Sequence, residues 1–99
     1  MSFEPLDYAR NEIAPLLRAI VVSVEEEERA DQVRFFSAIL NGVENARDAT
    51  DLAEPFMELS MSAFVGFDYS PPTAMLLDQV LLHAGQLSEV LSLDDEERH

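Results

Sequence analysis

The stretch PPTAMLLDQVLLHAGQLSEVL, residues 71–91, has apolar side chains at the alternating three- and four-residue spacing of an α-helix. One continuous face carries the apolar residues Leu77, Val80, Ala84, Leu87 and Leu91. Further apolar side chains, including Leu82, cover most of the remaining circumference, which is typical of a helix at the centre of a bundle or at an interface between chains. We therefore predict a helix over residues 71–93, with Ser70 as its N-cap and Pro71 as its first residue.

The same periodicity, followed outward from this helix, predicts three more helices over residues 6–24, 26–47 and 52–67. We expect the first to bend or restart near Pro15, because proline disrupts a helix interior. Either Asn11 caps a helix that contains this proline in its first turn, or residues 6–11 form a separate short turn. Asp51 and Glu54 resemble a capping box at the start of the third helix.

Short connections between the four segments predict an all-α fold, namely an antiparallel up-down-up-down four-helix bundle. The 99 residues suit one domain. We expect the acidic tail over residues 94–99 to fray, because carboxylates oppose the dipole at the C-terminal end of a helix.

The charge balance restricts the partners that this chain could bind. Twenty acidic residues oppose six arginines, and the net charge is −14. Nucleic acid and anionic membranes would repel such a chain, so we predict neither as a direct partner, whereas a basic protein is compatible. The acidity could also serve solubility alone or reflect the general composition of its source. A basic leader and a membrane-length apolar run are both missing, so we expect a cytoplasmic protein.

The sequence contains no catalytic, cofactor or metal motif that we can identify. Cysteine and lysine are absent, and neither His83 nor His99 has metal ligands at a suitable spacing. There is no nucleophile elbow, phosphate-binding loop or calcium loop. We therefore expect no metal, no cofactor and no enzymatic activity. A small-ligand pocket near Phe64, Phe67, Tyr69 and His83 is kept as a lesser alternative.

Nine residues are predicted to contact a protein partner. An acidic run at the predicted start of the second helix would attract a basic surface, and the small residues at 38, 42 and 46 would let another helix approach closely. Two aromatic residues flank Asp68 at a predicted corner, and one leucine lies on the most apolar helix. The predicted contacts are Glu25, Glu26, Glu27, Glu28, Ala38, Gly42, Phe67, Tyr69 and Leu82.

Together these features predict a small acidic non-enzymatic protein–protein interaction module, a regulator or adaptor that acts through apolar helical faces. We expect a homodimer, or a pair with another protein, formed through the second and fourth helices. The alternative is an acidic inhibitor, meaning an immunity protein or DNA mimic that binds a basic nuclease or a DNA-binding protein.

Overall fold

The computed structural model describes residues 4–63 and 65–97, and within these ranges every regular element is helical. The prediction of an all-α fold is confirmed. The main elements are α1 (Pro5–Tyr8), a π-helical turn (Ala9–Ile13), α2 (Ala14–Glu26), α3 (Ala30–Glu44), α4 (Ala53–Ser60) and α5 (Pro71–Glu97). Short 3₁₀ turns, Ala49–Leu52 and Met61–Ala63, flank α4. Because α1, the π turn and α2 follow one another without a break, these ranges hold four main helices.

The first helix passes through Pro15 without restarting, because its pitch changes just before the proline. The backbone N–H of Ala14 bonds to the carbonyl of Ala9, five residues earlier. The ring of Pro15 would crowd the carbonyl of Asn11 in a regular α-helix, and a wider π turn relieves this crowding. Asn11 therefore lies inside the π turn. Neither alternative, a helix cap at Asn11 or a separate short turn over residues 6–11, is found, because the helical backbone is continuous there.

The connection between α2 and α3 is a Schellman motif, a turn in which two backbone hydrogen bonds close the end of a helix. Arg29 N donates to Val24 O over 3.0 Å, and Glu28 N donates to Glu25 O over 3.1 Å. Glu28 has φ of 59°, in the left-handed region. The predicted position of the acidic run in the first turn of a helix is wrong, because Glu25 and Glu26 end α2 and α3 begins only at Ala30.

Replacing Glu28 with glycine is expected to raise the free energy of unfolding by about 1 kcal/mol. Glycine adopts the left-handed conformation without steric cost, and the change also removes a carboxylate from the negative end of the α2 dipole. Urea denaturation measures the gain. The control is Glu26→Gln, which removes a similar charge from right-handed backbone, and it should gain only a few tenths of a kcal/mol. Equal gains from both variants would mean that the backbone conformation of Glu28 costs nothing.

The turn before α4 is capped one helical turn earlier than predicted. Asp48 Oδ1 accepts hydrogen bonds from Thr50 N at 3.0 Å and from Asp51 N at 3.2 Å. Asp51 Oδ2 accepts from Arg47 N at 2.9 Å, so Asp51 closes the capping arrangement rather than opening it. Two hydrogen bonds hold the pKa of the Asp48 carboxyl below its ordinary value. The larger effect comes from the Thr50 hydroxyl, and the smaller comes from Asp51 N.

The ends of α4 and α5 also differ from the predicted ones. α4 ends at Ser60 and its 3₁₀ extension at Ala63, whereas the prediction continued to residue 67. α5 begins at Pro71 as predicted, and Ser70 O accepts the first helical hydrogen bond, from Ala74 N at 2.8 Å. The helical backbone of α5 includes residues 94–97, which were predicted to fray. Residues 98 and 99, the rest of that tail, lie outside the described residues.

The core lies between the first helix, α3, α4 and the inner face of α5. α2 packs against α3 and α5, and α3 packs against α4. Tyr8 contacts His83 and Ser23 contacts Thr73, so the first helix and α5 run in opposite directions. The largest fully buried apolar side chains are Ile13, Leu17, Ile20, Val24, Phe36, Ile39, Val43, Leu52, Leu59, Val80 and Leu87. Of the described helices, none has the length and apolar character needed to cross a membrane.

Candidate functional site

Four aromatic rings pack together where residues 67–69 meet α3. The Phe35 ring centroid lies 5.1 Å from that of Phe36 and 5.4 Å from that of Phe67. Tyr69 closes the cluster at 6.0 Å from Phe36 and 6.1 Å from Phe67. Such edge-on and tilted arrangements are favourable for aromatic pairs. The structure thus brings two predicted contact residues, Phe67 and Tyr69, together, but their rings pack on this chain's own α3.

Polar contacts fix the same corner to the 3₁₀ turn after α4 and to the α2–α3 connection. Tyr69 Oη donates to Ser62 O at 2.7 Å, and Arg29 Nη1 donates to Asp68 O at 2.8 Å. Burial raises the pKa of Tyr69, which keeps its phenol protonated as the donor. Ser70 Oγ donates to Glu27 Oε2 at 2.5 Å. The corner is therefore held by contacts within the chain, and one of these contacts uses the hydroxyl of Tyr69.

The acidic run divides into one internal and three exposed carboxylates. Glu27 is half-buried, and its second carboxylate oxygen lies 3.2 Å from Arg29 Nε. The other three side chains of the run are exposed. Two of them stand beside an open groove of about 580 Å³, which is lined by Glu25, Glu28, Arg29, Ala30, Val33 and Arg34. Because two arginines line this groove with two glutamates, its charge is mixed rather than uniformly negative.

One residue of the predicted small-residue row, Gly42 in α3, makes a close contact inside the chain. A Cβ atom added to Gly42 would lie 2.9 Å from Pro55 Cγ, so α4 approaches α3 closely at this glycine. Ala46 is buried, whereas Ala38 is exposed. The sequence correctly indicates a close approach between helices, but the structure gives Gly42 an internal neighbour rather than leaving it for a second chain.

His83 is held by a hydrogen bond between the first helix and α5. Its Nδ1 lies 2.8 Å from Tyr8 Oη, and the same hydroxyl donates to Gln86 Oε1 at 3.3 Å. Phe64, a member of the alternative ligand pocket, and His99 lie outside the described residues. Within the residues that are described, no group of three or more acidic, histidine or cysteine side chains could hold a metal ion.

The outer face of α5 carries an uncharged strip that the sequence-based prediction captures only at Leu82. We call the α5 strip the exposed residues Met75, Gln79, Leu82, Gln86 and Val90. Met75 is 65% exposed, Leu82 is 61% exposed and Val90 is 39% exposed. Thr73, Leu77, Val80, Ala84 and Leu87 form the opposite, buried face. The repeated spacing of three and four residues across positions 75–90 is the signal that could have revealed the whole strip.

The α5 strip carries no charge, although the chain as a whole is strongly acidic. One residue in five is acidic, with 20 acids among 99 residues, yet none lies on the five positions of the strip. Asp78 and Glu89 are exposed on one flank of it, about 40–60° around the helix from Met75. An apolar surface of this kind, bordered by polar residues, often marks a site of protein contact.

Comparison of the chain with protein-family models, with curated proteins and with solved structures finds no match. Function must therefore be argued from the surfaces of the molecule itself. Of the nine predicted contact residues, Gly42, Glu27, Phe67 and Tyr69 are engaged within the chain. Leu82 lies on the most extended uncharged surface in the described parts of α5.

Proposed function

We propose that this chain is a cytoplasmic, non-enzymatic protein–protein interaction module, a regulator or adaptor, which binds its partner through the α5 strip. In this proposal the helices form an up-down-up-down bundle that buries one face of α5 and presents the other. The observation that carries the proposal is the strip itself. It places three large apolar side chains in solvent on one straight helix face.

The energetics of the strip favour contact with another protein surface. Burying one exposed leucine or methionine side chain contributes about 1.5–3 kcal/mol. The strip carries no charge, so covering it avoids the large desolvation cost of an unpaired ion. Gln79 and Gln86 can each donate and accept hydrogen bonds, which a partner must satisfy once they are covered.

A second candidate function, the acidic inhibitor, is favoured by the acidic end of α2. Glu25, Glu26 and Glu28 are exposed there, and Asp31 and Asp68 are exposed on the neighbouring segments. The hydrogen bond from Arg29 to Asp68 O holds these segments side by side. A basic nuclease or DNA-binding protein would meet this end first, with fast association that salt weakens.

A capture experiment in the native cells distinguishes the two functions. The tagged wild-type chain is cross-linked in vivo, and its partners are compared with those of Leu82→Glu by quantitative mass spectrometry. If the α5 strip binds the partner, Leu82→Glu should lower partner recovery by about tenfold or more, equivalent to about 1.4 kcal/mol. Met57→Glu is the matched control, because Met57 is 63% exposed on a different helix and should keep the partner.

A third variant, with Glu25, Glu26 and Glu28 all changed to glutamine, tests the second candidate. Loss of the partner in this variant alone would support the acidic inhibitor. Recovery from Leu82→Glu equal to that from the wild type would contradict the interaction module.

A further inference from the structure

We infer that the α5 strip pairs with the α5 strip of a second copy of this chain, packed in the opposite direction about a two-fold axis near Leu82. This inference rests on the proposed function, because it assigns an occupant to the surface proposed there. It also revises the expected interface, which included α3. Gly42, the central residue of the small-residue row, contacts Pro55 within the chain, so the pairing is assigned to α5 alone.

The strip has the same order of polarity when it is read in either direction. Its residues are apolar, glutamine, apolar, glutamine and apolar, at positions 75, 79, 82, 86 and 90. Their midpoint lies between residues 82 and 83. When two copies run in opposite directions about this midpoint, Met75 faces Val90 of the second copy and Leu82 faces Leu82. A two-fold interface requires this kind of self-complementary patch.

The two glutamines fit a partner that is identical to the chain itself. Gln79 faces Gln86 of the second copy in the proposed register. Gln86 Oε1 accepts from Tyr8 within its own chain, which leaves its Nε2 to donate across the interface to Gln79 Oε1. A strongly basic partner would find no carboxylate along the centre of the strip, whereas a second copy supplies an amide opposite each amide.

The direction of the pairing follows from the acidic end of α5. Residues 94–97 are four consecutive acids on each copy. A parallel pair would place the eight carboxylates together, and it would also align the two helix dipoles. Reversal about the midpoint separates the two acidic ends by roughly 40 Å, since a helix rises 1.5 Å per residue. That separation far exceeds the screening length of about 8 Å at physiological salt.

The flanks of the strip make the proposed pair weak and sensitive to salt. In the reversed register, Asp78 lies within about 3 Å, along the helix axis, of Glu89 of the second copy. Both residues lie on the same flank, so their charges repel. The contact is also confined to one helix face, which is typical of weak, transient association. We therefore expect a dissociation constant in the micromolar range that falls several-fold as added salt screens the acids.

Sedimentation equilibrium tests the association. The wild type should shift from monomer to dimer between about 1 µM and about 100 µM protein. Leu82→Glu should remain monomeric, and Asp78→Asn should dimerise at several-fold lower concentration than the wild type. Raising the salt from about 0.15 M to about 1 M should strengthen the dimer. A basic partner would show the opposite dependence on salt, because its attraction to the acids would be screened.

Cysteine cross-linking tests the register, and the chain suits it because it contains no cysteine. Under mild oxidation, Leu82→Cys should form a disulfide-linked dimer. Met75→Cys and Val90→Cys should cross-link to each other when mixed but not to themselves, because a disulfide requires Cα atoms within about 7 Å. Met57→Cys gives the background rate. Self-linking by Met75→Cys as fast as by Leu82→Cys would establish a parallel pair and overturn the proposed direction.

Two results together would overturn pairing with a second copy. The wild type would stay monomeric at about 100 µM in high salt, and Leu82→Cys would form disulfide-linked dimers no faster than Met57→Cys. That result is distinguishable from failure of the interaction module. In the capture experiment, a monomeric chain could still lose a different partner through Leu82→Glu.

Discussion

Replacing Phe36 with alanine is expected to lower the free energy of unfolding by about 3–5 kcal/mol. Phe36 is fully buried in α3, and its ring contacts those of Phe35 and Tyr69. The substitution removes apolar contact and leaves a cavity where α3 meets the corner at residues 67–69. Urea denaturation followed by circular dichroism measures the loss, provided that the variant still folds at low temperature.

Phe67→Ala is the matched comparison, because it makes the same chemical change in a half-buried ring of the same cluster. It should cost about 1–2 kcal/mol, in proportion to the smaller area that Phe67 buries. Phe36→Leu preserves most of the volume and should cost less than about 1.5 kcal/mol. If Phe67→Ala cost as much as Phe36→Ala, the corner rather than the core would dominate the stability of this region.

Alanine substitutions at two helical glycines are expected to change stability in opposite directions. Gly42→Ala would place a Cβ 2.9 Å from Pro55 Cγ and 3.3 Å from Pro55 Cβ. The proline ring is rigid, so α4 must shift, at a cost of about 1–3 kcal/mol. The better helix propensity of alanine offsets about 1 kcal/mol of this cost. A Cβ added to Gly85 would meet no atom within 4 Å, so Gly85→Ala should gain about 1 kcal/mol.

The two variants should therefore differ by about 1–3 kcal/mol in the free energy of unfolding. Denaturation at low protein concentration measures this difference for the single chain. A double-mutant cycle with Pro55→Ala, which removes the ring, should recover much of the loss caused by Gly42→Ala. A gain in stability from Gly42→Ala alone would show that α4 moves away at little cost.

The helical faces could be read from the sequence more reliably than the ends of the helices. Leu77, Val80, Ala84 and Leu87 were predicted as one face of α5, and all four are buried. Hydrophobic spacing constrains such a face along many residues at once. The start of α3 was placed four residues too early, because Glu28 adopts φ of 59° where a glycine would usually signal the turn. A glutamate in that position gives no local sequence signal.

The contacts of the candidate site are likewise only partly predictable from the sequence. Spacing indicated that Gly42 admits a close neighbour, but only the three-dimensional packing identifies that neighbour as Pro55. Composition indicated that the chain is acidic, but only the fold separates the engaged Glu27 from the exposed acids beside it. Conversely, Met75, Gln79 and Gln86 carry no functional signal as individual residues in the sequence. They are recognised as one exposed surface only when the buried face shows how α5 is rotated.

The π turn before Pro15 has a consequence for how the chain tolerates insertions and deletions. A π turn holds one more residue than the α-helical turn that it replaces. Deleting one residue between positions 9 and 13 would convert the π turn into an α-helical turn, and the residues on either side would keep nearly the same rotation about the helix axis. Tyr8 would then still face His83, its hydrogen-bond neighbour at 2.8 Å, while the ring of Pro15 would crowd a carbonyl in the turn before it. The extra residue thus relieves the crowding at Pro15 without changing the rotation of Tyr8 toward α5.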